Sequence, residues 1–243
     1  MSVRMQGLNA LQCARVAAMS KSSLKPFLAV GLMTAIMGLV LFLAAGTVRY
    51  WQGWVYLAVY FGAASLITLY VMIKDPALLQ RRMKGGPAAE KQTRQKIIML
   101  FASAAFIGIL LVPALDHRFS WSNVPPGLEI AGDVLTALGF FITFLVFRAN
   151  TFAAATVEIA QDQRVISTGP YAILRHPMYA GGLLIFIGAP LALGSYWGLL
   201  AFLVALPALI WRLLDEEQLL ARDLPGYVEY MQRVRYRLIP HVW

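Results

Sequence analysis

The sequence predicts an all-α, polytopic integral membrane protein: a helical bundle of about five spans, the last a tight hairpin, with six apolar segments in total. Two observations carry this prediction. Hydrophobic residues make up 59% of the 243 residues and charged residues only 14%, against about 25% charged in soluble domains. The apolar residues also form long runs, and in lipid such runs must be helical so that every backbone amide is hydrogen-bonded.

Four runs in the first 147 residues approach the roughly 20 apolar residues that cross a hydrocarbon core. Three of them carry no charge, namely Phe27–Gly46, Tyr50–Ile73 and Ile97–Leu115. The fourth run, Ile130–Phe147, has Asp133 near its start. The first run, with 20 residues, is longer than the apolar core of a signal peptide, about 7–15 residues, so we predict a transmembrane helix there rather than a cleaved leader.

The fifth apolar region, residues 176–211, holds 36 residues without a formal charge. It is too long for one straight span and too short for two full spans joined by a turn. Gly194-Ser195 in its middle is a turn signal. We therefore predict a hairpin over residues 178–214, built from the helices Met178–Leu193 and Tyr196–Leu214.

Basic residues are concentrated in two places, the N-terminal arm (residues 1–26) and the segment 74–96, which we interpret as an interfacial helix. The linkers near Arg49 and over residues 116–129 are poor in Lys and Arg. The positive-inside rule therefore predicts cytoplasmic N- and C-termini, and it explains the net charge of +9 without nucleic acid binding. Aromatic residues predicted to line the opposite interface are Tyr50, Trp51, Trp54, Trp121, Tyr196 and Trp197.

Three polar clusters are predicted at the cytoplasmic boundary. Arg148 and Asn150 close the fourth span, the turn Gly169–Tyr179 opens the hairpin, and Arg212 and Glu216 end it. Arg212 and Glu216 are at positions i and i+4, which places both on one helix face. Ionisable groups at a bundle's edge are functional candidates, although a plain salt bridge between these two residues is the alternative.

The turn before the hairpin holds side chains suited to ligand binding. His176 precedes Pro177, so it can cap the next helix, hydrogen-bond a ligand or act as a general base. Tyr171 and Tyr179 supply aromatic faces, which attract cations and, by analogy, sulfonium groups. The single cysteine, Cys13, and three histidines in separate segments predict no metal site.

Five motifs follow one another in residues 148–243: Val165-Ile166-Ser167-Thr168-Gly169-Pro170-Tyr171, Arg175-His176-Pro177-Met178-Tyr179, Arg212-x3-Glu216-Glu217, Gly226-Tyr227-Val228-Glu229-Tyr230 and Arg237-Leu238-Ile239-Pro240. In this order they resemble the isoprenylcysteine carboxyl methyltransferase family, and the related phospholipid methyltransferases are similar in the same region. The resemblance implies a membrane enzyme that uses S-adenosylmethionine without a Rossmann domain, and no G-x-G-x-x-G follows a predicted strand here.

The resemblance also implies roles for individual residues. Arg212 would face the acceptor and act in catalysis with Glu216, and Arg148 and Asn150 complete the predicted acceptor side. The predicted cofactor-binding residues are Gln163, Arg164, Val165, Ile166, Tyr171, His176, Pro177, Met178, Tyr179, Glu216 and Glu217. Residues 148–243 would thus form the catalytic region, following spans one to four in residues 27–147.

The expected acceptor is a lipophilic small molecule or prenylated substrate that arrives from the bilayer, among membrane lipids, and we expect no nucleic acid partner. A carboxylate acceptor needs no general base, whereas a thiol or amine, including a phospholipid amine, would need His176 or Glu217. Two other classes stay open: an NADPH-dependent membrane reductase of the sterol-reductase kind, and a non-enzymatic membrane protein. Met178 and the Glu pair after Arg212 favour the methyltransferase, and the sequence leaves the oligomeric state open.

Overall fold

The structure is a computed structural model that describes residues 2–90, 92–160 and 162–243, and for residues 2–23 and 87 it describes the backbone alone. All regular structure in these residues is helical, which confirms the predicted fold class. The helices are α1 (Ser2–Ala45), α2 (Trp51–Lys74), α3 (Pro76–Met83), α4 (Thr93–Phe119), α5 (Pro126–Ala149), α6 (Pro177–Ala192), α7 (Trp197–Asp223) and α8 (Tyr227–Arg233). Short 3₁₀ turns lie at Pro87–Ala89 and Gly169–Ala172.

Five helices are long and apolar enough to cross a membrane: the Leu24–Ala45 part of α1, and α2, α4, α5 and α7. Their outward faces carry large exposed apolar side chains, such as Leu43, Leu66 and Val204. Water would disfavour such faces, whereas lipid tails solvate them. The integral membrane character predicted from the sequence is therefore confirmed.

The predicted hairpin is present, with a correction to its second arm. Helix α6 has 16 residues, and the chain turns at Gly194, whose φ of +71° favours glycine. Helix α7 has 27 residues and continues to Asp223 instead of ending at Leu214. The charged residues beyond Leu214 do not stop the helix, because Asp215 and Glu217 are buried against partners.

Helices α5 and α6 pack backbone against backbone through two pairs of glycines. A methyl group on Gly181 would lie 2.8 Å from the carbonyl oxygen of Gly139, and one on Gly188 would lie 2.6 Å from that of Gly132. Small residues at the contact allow this close approach in membrane bundles. The pairing fixes the start of α6 beside the end of α5, which places the polar turn before α6 next to Asn150.

The end of the bundle that holds the hairpin turn is closed by a buried polar cluster. Asp116 accepts hydrogen bonds from the Ser122 backbone amide (2.7 Å), the Ser122 hydroxyl (2.6 Å) and the Ser195 hydroxyl (2.5 Å). Glu129 accepts one from Gln52 at 2.9 Å. These bonds join α4 to the hairpin turn and α2 to α5, so side chains connect the helices at this end of the bundle.

Five of the six residues of the predicted aromatic belt are exposed near this end. Tyr50 is the exception and is fully buried, with its hydroxyl donating to the Leu193 carbonyl oxygen at 2.6 Å and its ring stacked on His117. Tyr50 lies directly before α2, where the chain turns inward, so its ring packs into the core while Trp51 and Trp54 face outward.

At the opposite end, the predicted interfacial segment folds as α3, a break at Gly86 (φ +97°) and a 3₁₀ turn. Asp75 caps α3, accepting from the Leu78 amide at 2.9 Å. Arg81 donates to the Thr151 carbonyl oxygen at 2.5 Å, and Arg94 pairs with Asp215 at 3.1 Å. These contacts bring segment 74–96, the connector after α5 and the end of α7 to one end of the bundle.

Candidate functional site

A cavity of about 360 Å³ opens at this polar end, between α4, the connector 150–171, α6 and α7. Most of the predicted site residues line it: Asn150, Gln163, Arg164, Val165, Ile166, Tyr171, His176, Met178, Tyr179, Arg212 and Glu216. Three predicted residues lie elsewhere. Arg148 is exposed, Pro177 is buried in the first turn of α6, and Glu217 is buried behind the cavity wall.

Two hydroxyl contacts shape the polar side of the cavity. The Tyr179 hydroxyl donates to Glu216 Oε2 at 2.5 Å, and the Asn150 amide donates to the Tyr171 hydroxyl at 2.9 Å. Burial raises the pKa of Tyr171 to about 12, against the opposing effect of the Asn150 hydrogen bond. Tyr171 therefore stays a neutral hydroxyl at physiological pH, and the carboxylate of Glu216 supplies negative charge to the cavity.

His176 faces Glu217 rather than capping α6. Its side chain makes no capping hydrogen bond, and its Nε2 lies 3.2 Å from Glu217 Oε2. Its backbone amide donates to the Arg237 carbonyl oxygen at 3.0 Å. The ring is buried yet lines the cavity, so His176 can present one edge to a ligand while Glu217 holds its orientation.

Glu217 is the centre of a buried ion-pair cluster. Its Oε1 lies 2.9 Å from both Nε and Nη2 of Arg237, and its Oε2 lies 3.3 Å from Nε of Arg175 and 3.2 Å from His176. Buried charges are tolerated when paired in this way. The cluster joins α7, the turn before α6 and the C-terminal segment, so Glu217 positions the cavity wall from behind.

The C-terminal segment supports the same turn through backbone contacts. The Tyr230 hydroxyl donates to the carbonyl oxygens of Tyr171 (2.8 Å) and Leu174 (3.3 Å). The Arg175 amide donates to the Tyr236 carbonyl oxygen at 2.9 Å. These bonds give a structural reason for two motifs noted in the sequence, Gly226–Tyr230 and Arg237–Pro240, neither of which had a predicted role.

Arg212 has two side-chain partners on the interfacial segment 74–96 and one backbone partner in the connector after α5. Its guanidinium donates to Glu90 Oε1 at 2.9 Å, Gln95 Oε1 at 2.8 Å and the Ala155 carbonyl oxygen at 3.0 Å. Among the described ion pairs, its partner is Glu90 and not Glu216. Arg212 and Glu216 nevertheless line the same cavity, as their i, i+4 spacing indicates.

The structure adds cavity residues that the sequence reasoning missed. Tyr227 is buried, lines the cavity, and its hydroxyl has no hydrogen-bond partner among the described residues. Buried polar atoms are nearly always paired, so this hydroxyl is available to a ligand. Arg82 also lines the cavity. Arg82 was not predicted from the sequence, because the positive-inside rule already explained the basic segment 74–96 in which it lies.

The opposite wall of the cavity is apolar. Ala102 and Phe106 of α4 face Ala205 and Leu209 of α7. Both pairs lie within helices that are long enough to span the membrane. The cavity therefore has a polar part at the end of the bundle and an apolar part that extends into the membrane-spanning region.

Comparison with known proteins identifies this region. A sequence model of the phospholipid methyltransferase family matches residues 128–224. This part of the chain is thus similar to the membrane methyltransferases. The chain is also 27% identical over 146 residues to protein-S-isoprenylcysteine O-methyltransferase B of Arabidopsis thaliana, an alignment that covers 57% of this chain and 70% of that protein. The resemblance drawn from the sequence motifs is confirmed by both comparisons.

The methyltransferase match runs from α5 to the end of α7. It includes the connector, the turn before α6 and the charged cavity-lining residues Arg212 and Glu216 of α7. Cavity residues outside it include Arg82 in α3, Ala102 and Phe106 in α4, and Tyr227 in α8. The methyltransferase relationship suggests S-adenosylmethionine as the methyl donor.

Proposed function

We propose that this protein transfers the methyl group of S-adenosylmethionine to a lipophilic acceptor, with a carboxylate as the favoured acceptor group. The single observation that carries the proposal is the two-part cavity: methyltransferase motif residues line its polar part, and membrane-spanning helices line its apolar part. A polar donor would come from the aqueous side and a lipophilic acceptor from the bilayer.

The residues of the polar part fit the proposed cofactor. Glu216 can accept hydrogen bonds from donor hydroxyl or amino groups, and the buried, unpartnered hydroxyl of Tyr227 can make a further hydrogen bond. The rings of Tyr171 and Tyr179 supply faces that attract a sulfonium cation. Gln163 and the following residues through Ile166 form the remaining wall.

The chain's own groups provide orientation and water exclusion rather than acid–base chemistry. When bound, S-adenosylmethionine supplies an electrophilic methyl group, which a carboxylate accepts without losing a proton. The apolar wall keeps water from the reacting groups. Arg212, held by Glu90 and the Ala155 carbonyl, stays the predicted acceptor-facing residue, and Asn150 lines the same cavity.

The contacts of the possible bases bear on the choice between a carboxylate and an amine or thiol acceptor. His176 Nε2 lies 3.2 Å from Glu217, and Glu217 is paired with Arg237 as well. Glu216 accepts the Tyr179 hydroxyl. An amine or thiol must give up a proton. Glu217 is committed to Arg237, whereas the second ring nitrogen of His176 is not engaged by Glu217, so His176 is the candidate base for such an acceptor. The family match to phospholipid methyltransferases keeps the amine as the second candidate.

We predict that Glu216→Gln weakens binding of S-adenosylhomocysteine about ten- to a hundredfold, because it removes a charged hydrogen-bond acceptor. Titration calorimetry on detergent-purified protein measures the affinity, and Gln218→Ala, an exposed position on the same helix, is the matched control. Wild-type protein that binds NADPH instead of S-adenosylhomocysteine would establish the reductase alternative. Protein that binds neither would favour a non-enzymatic role.

We also predict that both termini and the cavity mouth face the cytoplasm, as the distribution of basic residues indicates. In a Cys13→Ser background, an impermeant maleimide should label Asn123→Cys from outside intact cells and Ser167→Cys only after permeabilisation. Both positions are exposed and lie at opposite ends of the bundle. Labelling of Ser167→Cys from outside would reverse the proposed orientation.

A further inference from the structure

A second, smaller groove of about 270 Å³ lies between α1, α2 and α3. Its walls are largely apolar and include Val30, Met33, Tyr60, Ala64 and Leu79. The groove lies in the part of α1 and α2 that is long and apolar enough to cross the membrane. Its position gives an aliphatic chain in the bilayer a path toward the polar end of the bundle.

Arg82 lines both this groove and the larger cavity. Its guanidinium donates to the Ala154 carbonyl oxygen at 2.9 Å, lies 3.8 Å from the sulfur of Met178 and stands 5.1 Å from the centre of the Phe147 ring. The three contacts hold the guanidinium where the groove and the cavity meet.

Among the described residues, Arg82 forms no ion pair with a carboxylate. Burial and the nearby guanidinium of Arg212 both lower the pKa of Arg82, which shows how unfavourable this position is for a cation on its own. Arg212 differs from Arg82 because it forms an ion pair with Glu90. A half-buried guanidinium without a carboxylate partner is stabilised by an incoming anion, and its planar fork fits a carboxylate.

We propose that Arg82 binds the carboxylate of a single-chain lipophilic acceptor whose hydrocarbon chain lies in the groove between α1 and α2. This inference rests on the proposed function and adds Arg82 to Arg212 on the acceptor side of the cavity. The position of Arg82 at the junction favours the acceptor over the cofactor, because the groove that leads to the guanidinium is lined largely by apolar residues. The alternative ligand for the Arg82 guanidinium is the carboxylate of the cofactor.

The test uses N-acetyl-S-farnesylcysteine and its uncharged carboxamide as probes, with binding and methyl transfer measured on purified protein. The wild type is expected to prefer the carboxylate, and Arg82→Gln should lose at least about tenfold of its affinity for it while keeping its affinity for the carboxamide. The glutamine side chain of this variant has an N–H that can donate to the Ala154 carbonyl oxygen, so this hydrogen bond can still form. Lys84→Met, exposed in the same segment, removes one charge without touching the cavity and should leave both affinities unchanged.

The groove is tested separately by Ala64→Trp, which fills it. This variant should weaken binding of the farnesyl probe but not of a short S-alkyl analogue, N-acetyl-S-propylcysteine. Unchanged carboxylate preference in Arg82→Gln, or full farnesyl affinity in Ala64→Trp, overturns the inference.

Binding of S-adenosylhomocysteine separates this inference from the proposed function. It should be unchanged in Arg82→Gln, and a fall there would assign the guanidinium to the cofactor and overturn the acceptor site. If the wild type itself fails to bind S-adenosylhomocysteine, the proposed function fails, whatever the acceptor probes show.

Discussion

Glu217→Gln is expected to destabilise the protein by about 3–5 kcal/mol, because it leaves buried cations without their counter-charge. The carboxylate holds Arg175, His176 and Arg237 together across three segments. Thermal unfolding in detergent should show a markedly lower Tm. Binding of S-adenosylhomocysteine by the folded fraction should weaken too, although Glu217 does not line the cavity, because the turn that carries His176 loses its support.

Asp223→Asn is the matched control. Asp223 lies on the same helix and forms an ion pair with Arg222 at 2.7 Å, but both side chains are well exposed. Exposed pairs contribute little, typically about 0–1 kcal/mol, so the Tm should hardly change. Equal effects of the two substitutions would contradict the role of Glu217 as the centre of a buried cluster.

Gly139→Ala is expected to be the most damaging small substitution in the membrane-spanning part. The added methyl group would overlap the carbonyl oxygen of Gly181 on α6, and a backbone atom cannot move aside as a side chain can. Overpacking of this kind costs typically about 1–3 kcal/mol, and here it would also push the start of α6 away from Asn150. We expect a lower Tm and reduced binding of S-adenosylhomocysteine.

Gly182 provides the comparison for this prediction, since it is adjacent to Gly181 on α6. A methyl group there has no other atom within 4 Å, and alanine favours the helix over glycine. Gly182→Ala should therefore keep or slightly raise the Tm. If Gly139→Ala behaves like Gly182→Ala, the helices are not in backbone contact and the packing described for α5 and α6 is wrong.

Local signals in the sequence predicted the features that depend on neighbouring residues. The apolar runs predicted the spans, Pro177 predicted the start of α6, and Gly194 predicted the hairpin turn. The i, i+4 spacing of Arg212 and Glu216 placed both on the cavity face. Each of these inferences needs only helical periodicity or the conformational preference of one residue.

Long-range partners could not be predicted from such signals. Glu90 precedes Arg212 by 122 positions, and nothing local indicates that this pairing displaces the one with Glu216. Adjacent residues on a helix point in different directions, so Glu216 faces the cavity while Glu217 faces Arg237. Tertiary packing determines which of these two carboxylates faces the cavity. Tyr50 illustrates the same limit, because its burial depends on the turn between α1 and α2.

The length of α6 has a consequence for where the reaction would take place. Its 16 residues rise about 24 Å, roughly 6 Å less than the thickness of the hydrocarbon core, and the exposed Tyr196 and Trp197 beside the hairpin turn mark the far interface. An upright helix of this length that starts at the far interface therefore places the turn at His176 about 6 Å inside the opposite boundary of the hydrocarbon core. A lipid tail need not leave the bilayer for its head to react, and turnover should depend on bilayer thickness.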